Sequence, residues 1–192
     1  MHTCPAPSEH LLLRQWTDAD LEPYAAMNAD PEVMRYFPAP LTKEETAASL
    51  DRLRRGIDER GWGLWAVEVN GAFAGFIGLS TPSFTAHFTP CVEIGWRFRR
   101  EFWGRGLASR AARKALRFGF ESLKLAEIVS FTAATNDRSR RLMERLGFVR
   151  DLGGDFDHPS IPEAHALRRH VLYRIKAEAA RASGNPGSTS RD

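Results

Sequence analysis

Gly104 and Gly106 stand one residue apart in "WGRGLAS" (103–109), and a run of alanines and arginines follows at once. A strand, a glycine-bearing loop and a helix in that order leave the first-turn N–H groups of the helix unpaired and aimed forward. The helix dipole adds partial positive charge there. Glycines permit backbone conformations and a close approach that side chains would block. Arg97, Arg99, Arg100, Arg105, Arg110, Arg113, Lys114 and Arg117 surround the junction, against Glu101. Main-chain amides and forked guanidinium donors together suit a phosphate. The stretch is neither familiar nucleotide loop. No Gly-Lys-Ser/Thr follows, and Ser109 stands where the last glycine of Gly-x-Gly-x-x-Gly belongs. On these residues alone, a phosphate site and a solvated arginine face are equally good readings.

Further along, "TNDRSRRLMERLGF" (135–148) puts Asn136 at a strand end, Ser139 three residues later and Gly147 at the close of a helix. Asn136 suits a helix N-cap and equally a polar contact to a ligand. Glu93, within "CVEIGWRFR" (91–99), is a carboxylate on a strand, with Ile94 on the opposite face. It is a candidate general base, and pairing with a nearby arginine is the competing use. "GDFDHP" (154–159) offers Asp155, Asp157 and His158, read as a loop, with His158 titrating near neutral pH.

These groups need elements to hold them. An apolar strand is expected at 10–16, and Thr17 with Asp20 opens a helix through about Met27. Pro31, Pro38 and Pro40 interrupt the chain before Thr42 and Glu45 form a second capping box, with Leu50, Leu53 and Ile57 at helical spacing. Two β-rich runs (64–80) flank Asn70-Gly71, a hairpin turn. Strand 91–99, helix 106–122, strand 127–134, helix 137–146, a short strand from Phe148 and a final strand at 168–177 complete the order. Hairpins favour antiparallel pairing, and strand-helix-strand from 91 to 134 demands a parallel crossover. The expectation is an α/β fold of the α+β type, a mixed and mostly antiparallel sheet of six or seven strands flanked by helices.

The 192 residues suffice for one domain, placed at 10–177, with a flexible segment at 1–9 and a disordered tail at 178–192. No run approaches the ~20 apolar residues of a membrane span. The opening "MHTCPAPSEH" lacks the basic start and apolar run of a secretory leader. Cys4 and Cys91 make neither a disulfide framework nor a metal site, so a cytoplasmic setting without a metal is expected. A net charge of +3 and the lack of a base-reading motif disfavour nucleic acid as a partner.

Taken together, "WGRGLA" and the Asn136–Ser139 pattern beyond the next strand resemble the GNAT superfamily of N-acetyltransferases. "DPEVMRYF" (30–37), "VEIGW" (92–96) and "NDRSRRLMERLGF" are most similar to its ribosomal-protein-alanine N-acetyltransferase subgroup. The resemblance runs to about Lys176. It implies the GNAT fold with a splayed parallel central pair, acetyl-CoA as co-substrate and an amine acceptor, either a small molecule or a protein N-terminus. It also implies a monomer or homodimer.

By that resemblance, Trp103, Gly104, Arg105, Gly106, Leu107 and Ala108 bind the pyrophosphate, with Ser109 opening the helix and Asn136 contacting the cofactor. Trp103 departs from the Gln or Arg often found there and is read as a packing substitute. Trp96, Arg97 and Phe98 would pair with the pantetheine arm, and a free strand N–H would polarise the acetyl carbonyl. Many members place a Tyr in the last helix to protonate the thiolate. Met143 stands there in this chain, so Ser139 is the expected donor. Glu93 is the expected base and His158 the other candidate, since Phe131 occupies the place of a carboxylate used by some relatives. The acceptor would meet Tyr36 and Phe37 in the 34–40 junction and Asp155 in the 152–166 loop. A non-catalytic acyl-CoA sensor is the alternative, motivated by Met143.

Overall fold

The computed structural model describes residues 9–178, so the expectations for the N-terminal segment and the C-terminal tail lie outside the described residues, Glu9 and Glu178 apart. The elements run β1 (Leu11–Arg14), α1 (Leu21–Ala29), α2 (Lys43–Arg60), β2 (Leu64–Val69), β3 (Ala72–Ser80), β4 (Glu93–Phe98), α3 (Leu107–Arg117), β5 (Glu127–Ala133), α4 (Asp137–Arg145), β6 (Val149–Asp157) and β7 (Arg169–Lys176). Seven strands form one sheet in the order β1-β2-β3-β4-β5-β7-β6. Every neighbouring pair is antiparallel except β4 and β5. The expected mixed sheet is therefore present, with its parallel pair in the middle. Among the described residues no helix is long and apolar enough to cross a membrane.

Local chemistry accounts for most boundaries. Thr42 Oγ1 accepts from the Glu45 N–H at 3.1 Å while Glu45 Oε2 accepts from the Thr42 N–H at 2.8 Å, so two orphan donors of α2 are satisfied reciprocally. At the other end Gly61 turns left-handed, with φ of 76°. Asn70 and Gly71, with φ of 50° and 83°, make the left-handed turn that matches strand twist between β2 and β3. The Thr17–Asp20 box forms too, but it opens a single 3-10 turn (Asp18–Asp20) before α1 begins.

The sheet separates two apolar layers. Ile94 of β4, Ile77 and Leu79 of β3, and Ile128 of β5 pack with Leu107, Ala111, Ala112 and Ala115 of α3 and Leu142 and Met143 of α4. Small alanines on the inner face let α3 lie close to the strands. On the opposite face Phe76 and Ala66 pack with Trp16, Tyr24 and Met27, beneath α1 and α2. Beside that layer, Phe88, Val129, Phe156 and Leu172 gather with Phe84 and Phe131.

One expectation needs correcting. Asp155 and Asp157 sit on β6, not in a loop. β6 is an edge strand whose pairing with β7 breaks between Asp151 and Phe156. The short strand expected from Phe148 thus runs on to Asp157, and the bulged "LGGD" carries no alternating apolar pattern, which hides that continuation in the sequence.

Candidate active site

The parallel pair at the centre is joined only briefly. Among the described residues, Glu93 opposite Val129 is its one registered pair. The Val129 N–H donates to the Val92 carbonyl at 2.9 Å, and Ser130 Oγ donates to the Ile94 carbonyl at 3.0 Å. Beyond these the strands diverge and open a cleft of about 930 Å³. Since Val92 and Ile94 face β5, strand alternation makes Trp96 the next residue to direct its amide there. β5 supplies no partner at that point.

The cleft passes through the sheet. On the α3 side its wall is Trp103, Gly104, Gly106, Leu107, Ala108 and Ser109. Gly104 and Gly106 have φ of 73° and 71°, and a Cβ on either would meet nothing within 4 Å. Glycine is required here by backbone conformation, not by lack of space. Gly106 is the N-cap of α3, and Arg110 is the first residue to donate back, to the Gly106 carbonyl at 3.1 Å. The amides of Leu107, Ala108 and Ser109 therefore face the cleft mouth as a ready anion seat, and no acid lies in that first turn.

The arginines largely have other work. Arg105, expected in the cofactor loop, does not line the cleft and pairs with Glu9. Arg110 donates to the Glu9 carbonyl at 2.7 Å, and Lys114 to that of Leu11 at 2.7 Å, fastening α3 to the start of β1. Arg99 binds the Phe73 carbonyl at 2.9 Å. The guanidinium that does reach the loop is Arg138 of α4, 3.8 Å from the centroid of Trp103. Arg138 went unremarked in the sequence because nothing local marks it. Trp103 itself donates from Nε1 to the Phe98 carbonyl at 2.9 Å, bracing the turn.

Asn136 and Ser139 form one unit. Asn136 Oδ1 accepts from the Ser139 N–H at 3.2 Å, capping α4, while Nδ2 donates to Thr132 Oγ1 at 2.9 Å and to Ser139 Oγ at 3.1 Å. With its oxygen accepting, Ser139 keeps its own O–H proton to donate into the cleft it lines. Met143, one turn on, lines the same wall as an apolar, fully buried side chain.

On the α1/α2 side lie Glu93, Arg97, Tyr36, Phe37, Phe131, His158 and His170. Glu93 is half-buried and finds no hydrogen-bonding or charged partner among the described residues. Loss of water around it pushes its carboxyl up to about 8. Burial pushes both imidazoles down, His170 to about 4. His158 Nδ1 accepts from the Ser160 N–H at 3.3 Å, so the ring is neutral with its proton on Nε2. Asp155, expected on the acceptor side, does not reach the cleft. Its Oδ2 accepts from Arg150 Nη2 at 2.7 Å within the β6 bulge. Arg97, expected beside the cofactor, sends its side chain to the opposite face, because residue 97 alternates with 96. No group of three or more metal-ligating side chains gathers among the described residues.

The arrangement offers an anion seat on one face, a seam with a free amide through the sheet, and an unpaired carboxylate on the other. Such an arrangement has room for a long phosphorylated ligand on one face and a second reactant on the other. Comparison with known proteins points the same way. Residues 10–149 match the family model described as "Acetyltransferase (GNAT) domain". The N-acetyltransferase YoaA of Bacillus subtilis is 30% identical over 152 residues, 75% of this chain and 82% of that protein. The FsC-acetyl coenzyme A-N(2)-transacetylase of Aspergillus fumigatus is 33% identical over 130 residues, which span 64% of this chain and only 55% of its own length. A GNAT-family acetyltransferase structure from Bacillus anthracis superposes with a TM-score of 0.71 at 29% identity, covering 88% of this chain and 95% of that one.

Proposed function

Because the chain belongs to the acetyltransferase (GNAT) family and is an N-acetyltransferase, we propose that it moves an acetyl group to a primary amine of a small molecule or a protein N-terminus. Enzymes of this family use acetyl-CoA as co-substrate and bind an amine acceptor. The transfer takes place within the β4–β5 seam. Within the family, the chain reads as a member of the ribosomal-protein-alanine subgroup, on its "DPEVMRYF", "VEIGW" and "NDRSRRLMERLGF" segments.

The observation that carries this reading is Glu93, a carboxylate without a partner beside the point where β4 and β5 part. Acetyl-CoA supplies the thioester. The Leu107, Ala108 and Ser109 amides hold its pyrophosphate, with the dipole of α3 adding to the attraction. The edge of β4 left free by β5 would hold its extended arm, and the Trp96 N–H would donate to the acetyl carbonyl oxygen. The acceptor enters from the α1/α2 side. Its nitrogen lone pair forms the C–N bond as the C–S bond breaks, and the electron pair leaves on sulfur. Glu93 takes the proton that the nitrogen sheds. The Ser139 hydroxyl protonates the departing sulfur and is reprotonated from water, while Glu93 gives the proton it took back to water, so the net products are the acetylated amine and the CoA thiol. Neutral His158, with Nε2–H available, serves as a wall and donor on the acceptor side.

Incubation with acetyl-CoA and a panel of primary amines, following thiol release, tests this reading. Release with at least one amine is expected. Failure of every amine, together with no acetyl-CoA binding by calorimetry, would overturn it.

A further inference from the structure

Arg97 stands apart from the other arginines around the cleft. Its side chain is half-buried on the α1/α2 face, and no carboxylate among the described residues pairs with it. Nη1 donates to Asn28 Oδ1 at 2.6 Å, and Asn28 Nδ2 donates in turn to Thr46 Oγ1 at 3.2 Å. That relay is neutral. It fixes the position of the guanidinium without cancelling its charge. Nε is fully buried and has no partner at all. The rings of Phe37 and Phe76 lie 3.9 and 5.4 Å from the guanidinium carbon, so aromatic faces help hold the cation.

A half-buried cation with donors to spare is costly unless something meets it. Arg97 lines the cleft, and so does Glu93 on the same face of the same strand. Between them Gly95 leaves a bare floor, where a Cβ would meet only Glu93 Oε1 at 3.8 Å and Leu64 Cδ2 at 3.9 Å. The strip Glu93–Gly95–Arg97 thus carries a carboxylate at one end, open backbone in the middle and a guanidinium at the other. The pyrophosphate seat lies on the far face of the sheet, so the anion that meets Arg97 does not belong to the carrier. Four residue steps along the strand separate the two ends, about 13 Å of backbone. A free α-amino group and its own carboxylate are too close together to use both.

We propose that Arg97 selects the acceptor: a small amine carrying a carboxylate several bonds from its nitrogen, with the nitrogen at Glu93 and the carboxylate on the guanidinium edge of Arg97. This rests on the acetyltransferase reading above and narrows its acceptor class. Polycationic amines fit this geometry less well because, of the two carboxylates lining the cleft, Glu32 is already paired with Arg35 at 3.8 Å and Glu93 shares its strip with the Arg97 guanidinium. The aromatic wall of Tyr36, Phe37 and Phe131 suits the methylene chain between the two ends.

The test compares a series of ω-amino carboxylates with their carboxamides and with diamines of equal length, measuring kcat/KM for each. The wild-type enzyme is expected to favour one carboxylate over its carboxamide by about tenfold or more, the range of a charge-assisted pair. Arg97→Gln should erase that preference, raising the KM of the carboxylate toward that of its carboxamide. Arg97→Lys should recover part of it. If Arg97→Gln does not fold, the wild-type series decides alone. Equal use of carboxamide and carboxylate, or preference for the diamine, overturns the proposal while leaving acetyl transfer intact. Absence of thiol release with every amine would instead strike at the acetyltransferase reading itself.

Discussion

At the scale of single residues, the proposed function turns on two ionisable groups, Glu93 and Arg97, that have no oppositely charged partner among the described residues. With its carboxyl pushed up to about 8, Glu93 gains its basic form only as pH rises through that value. Activity limited by proton removal should therefore climb with pH to a plateau above it, read as kcat/KM. Glu93→Gln should abolish that limb and lower kcat/KM by about 10²–10⁴-fold. The same shift acts on stability. An unfolded chain ionises this carboxyl near 4.5, the folded one near 8, so the folded state binds more protons in between and loses stability as pH rises across that window. The Gln variant should thus melt higher than wild type at about pH 9, with the gap closing toward about pH 4. Ser139→Ala should lower kcat, by up to about 10²-fold, with acetyl-CoA affinity kept. Equal losses in both would assign Ser139 to binding. The sequence showed Glu93 as a strand carboxylate with an arginine near by. It could not show that none of those arginines reaches it. Arg97 was read as one more cation near a phosphate, and only strand alternation sends it to the other face.

At the scale of elements, the turn into α3 and the cap of α4 hold the two walls of the cleft. Gly106→Ala forces a side chain into φ of 71° and should cost on the order of 1 kcal/mol. Gly61→Ala meets a similar strain at φ of 76°, at a residue that does not line the cleft, and is the matched control. Calorimetry should show weaker acetyl-CoA binding for Gly106→Ala alone. Equal affinity in both variants would remove the turn from the cofactor site. Asn136→Ala should cost about 1 kcal/mol as a lost N-cap and, by freeing the Ser139 hydroxyl from Nδ2, lower kcat as well. Capping boxes, the Asn70-Gly71 hairpin and the glycine turn were legible because each is a local signature with a local cause. The course of β6 beyond its expected start near Phe148 was not, since a bulged stretch of glycine and acid has no pattern to read. Neither was Arg138, whose place beside Trp103 depends on how α4 packs.

At the scale of the molecule, the proposed reading puts carrier and acceptor on opposite faces of one sheet, meeting where β4 and β5 part. The element order and the parallel crossover were readable from pattern and turn chemistry. Which residues share a face of the cleft required the register. A ligand held across both halves of the sheet should stabilise the whole fold. Acetyl-CoA at about 100 times its Kd should add ~2.7 kcal/mol, raising Tm by roughly 5–10 °C in thermal melts of a domain this size. An unchanged Tm would mean that the cleft does not bind it. The most direct measurement is a crystal structure with CoA. The expected complex has pyrophosphate oxygens within about 2.7–3.2 Å of the Leu107, Ala108 and Ser109 nitrogens, with the sulfur in the seam facing Glu93 and Ser139. A pyrophosphate bound away from that turn, or a sulfur that does not enter the β4–β5 opening, would contradict it.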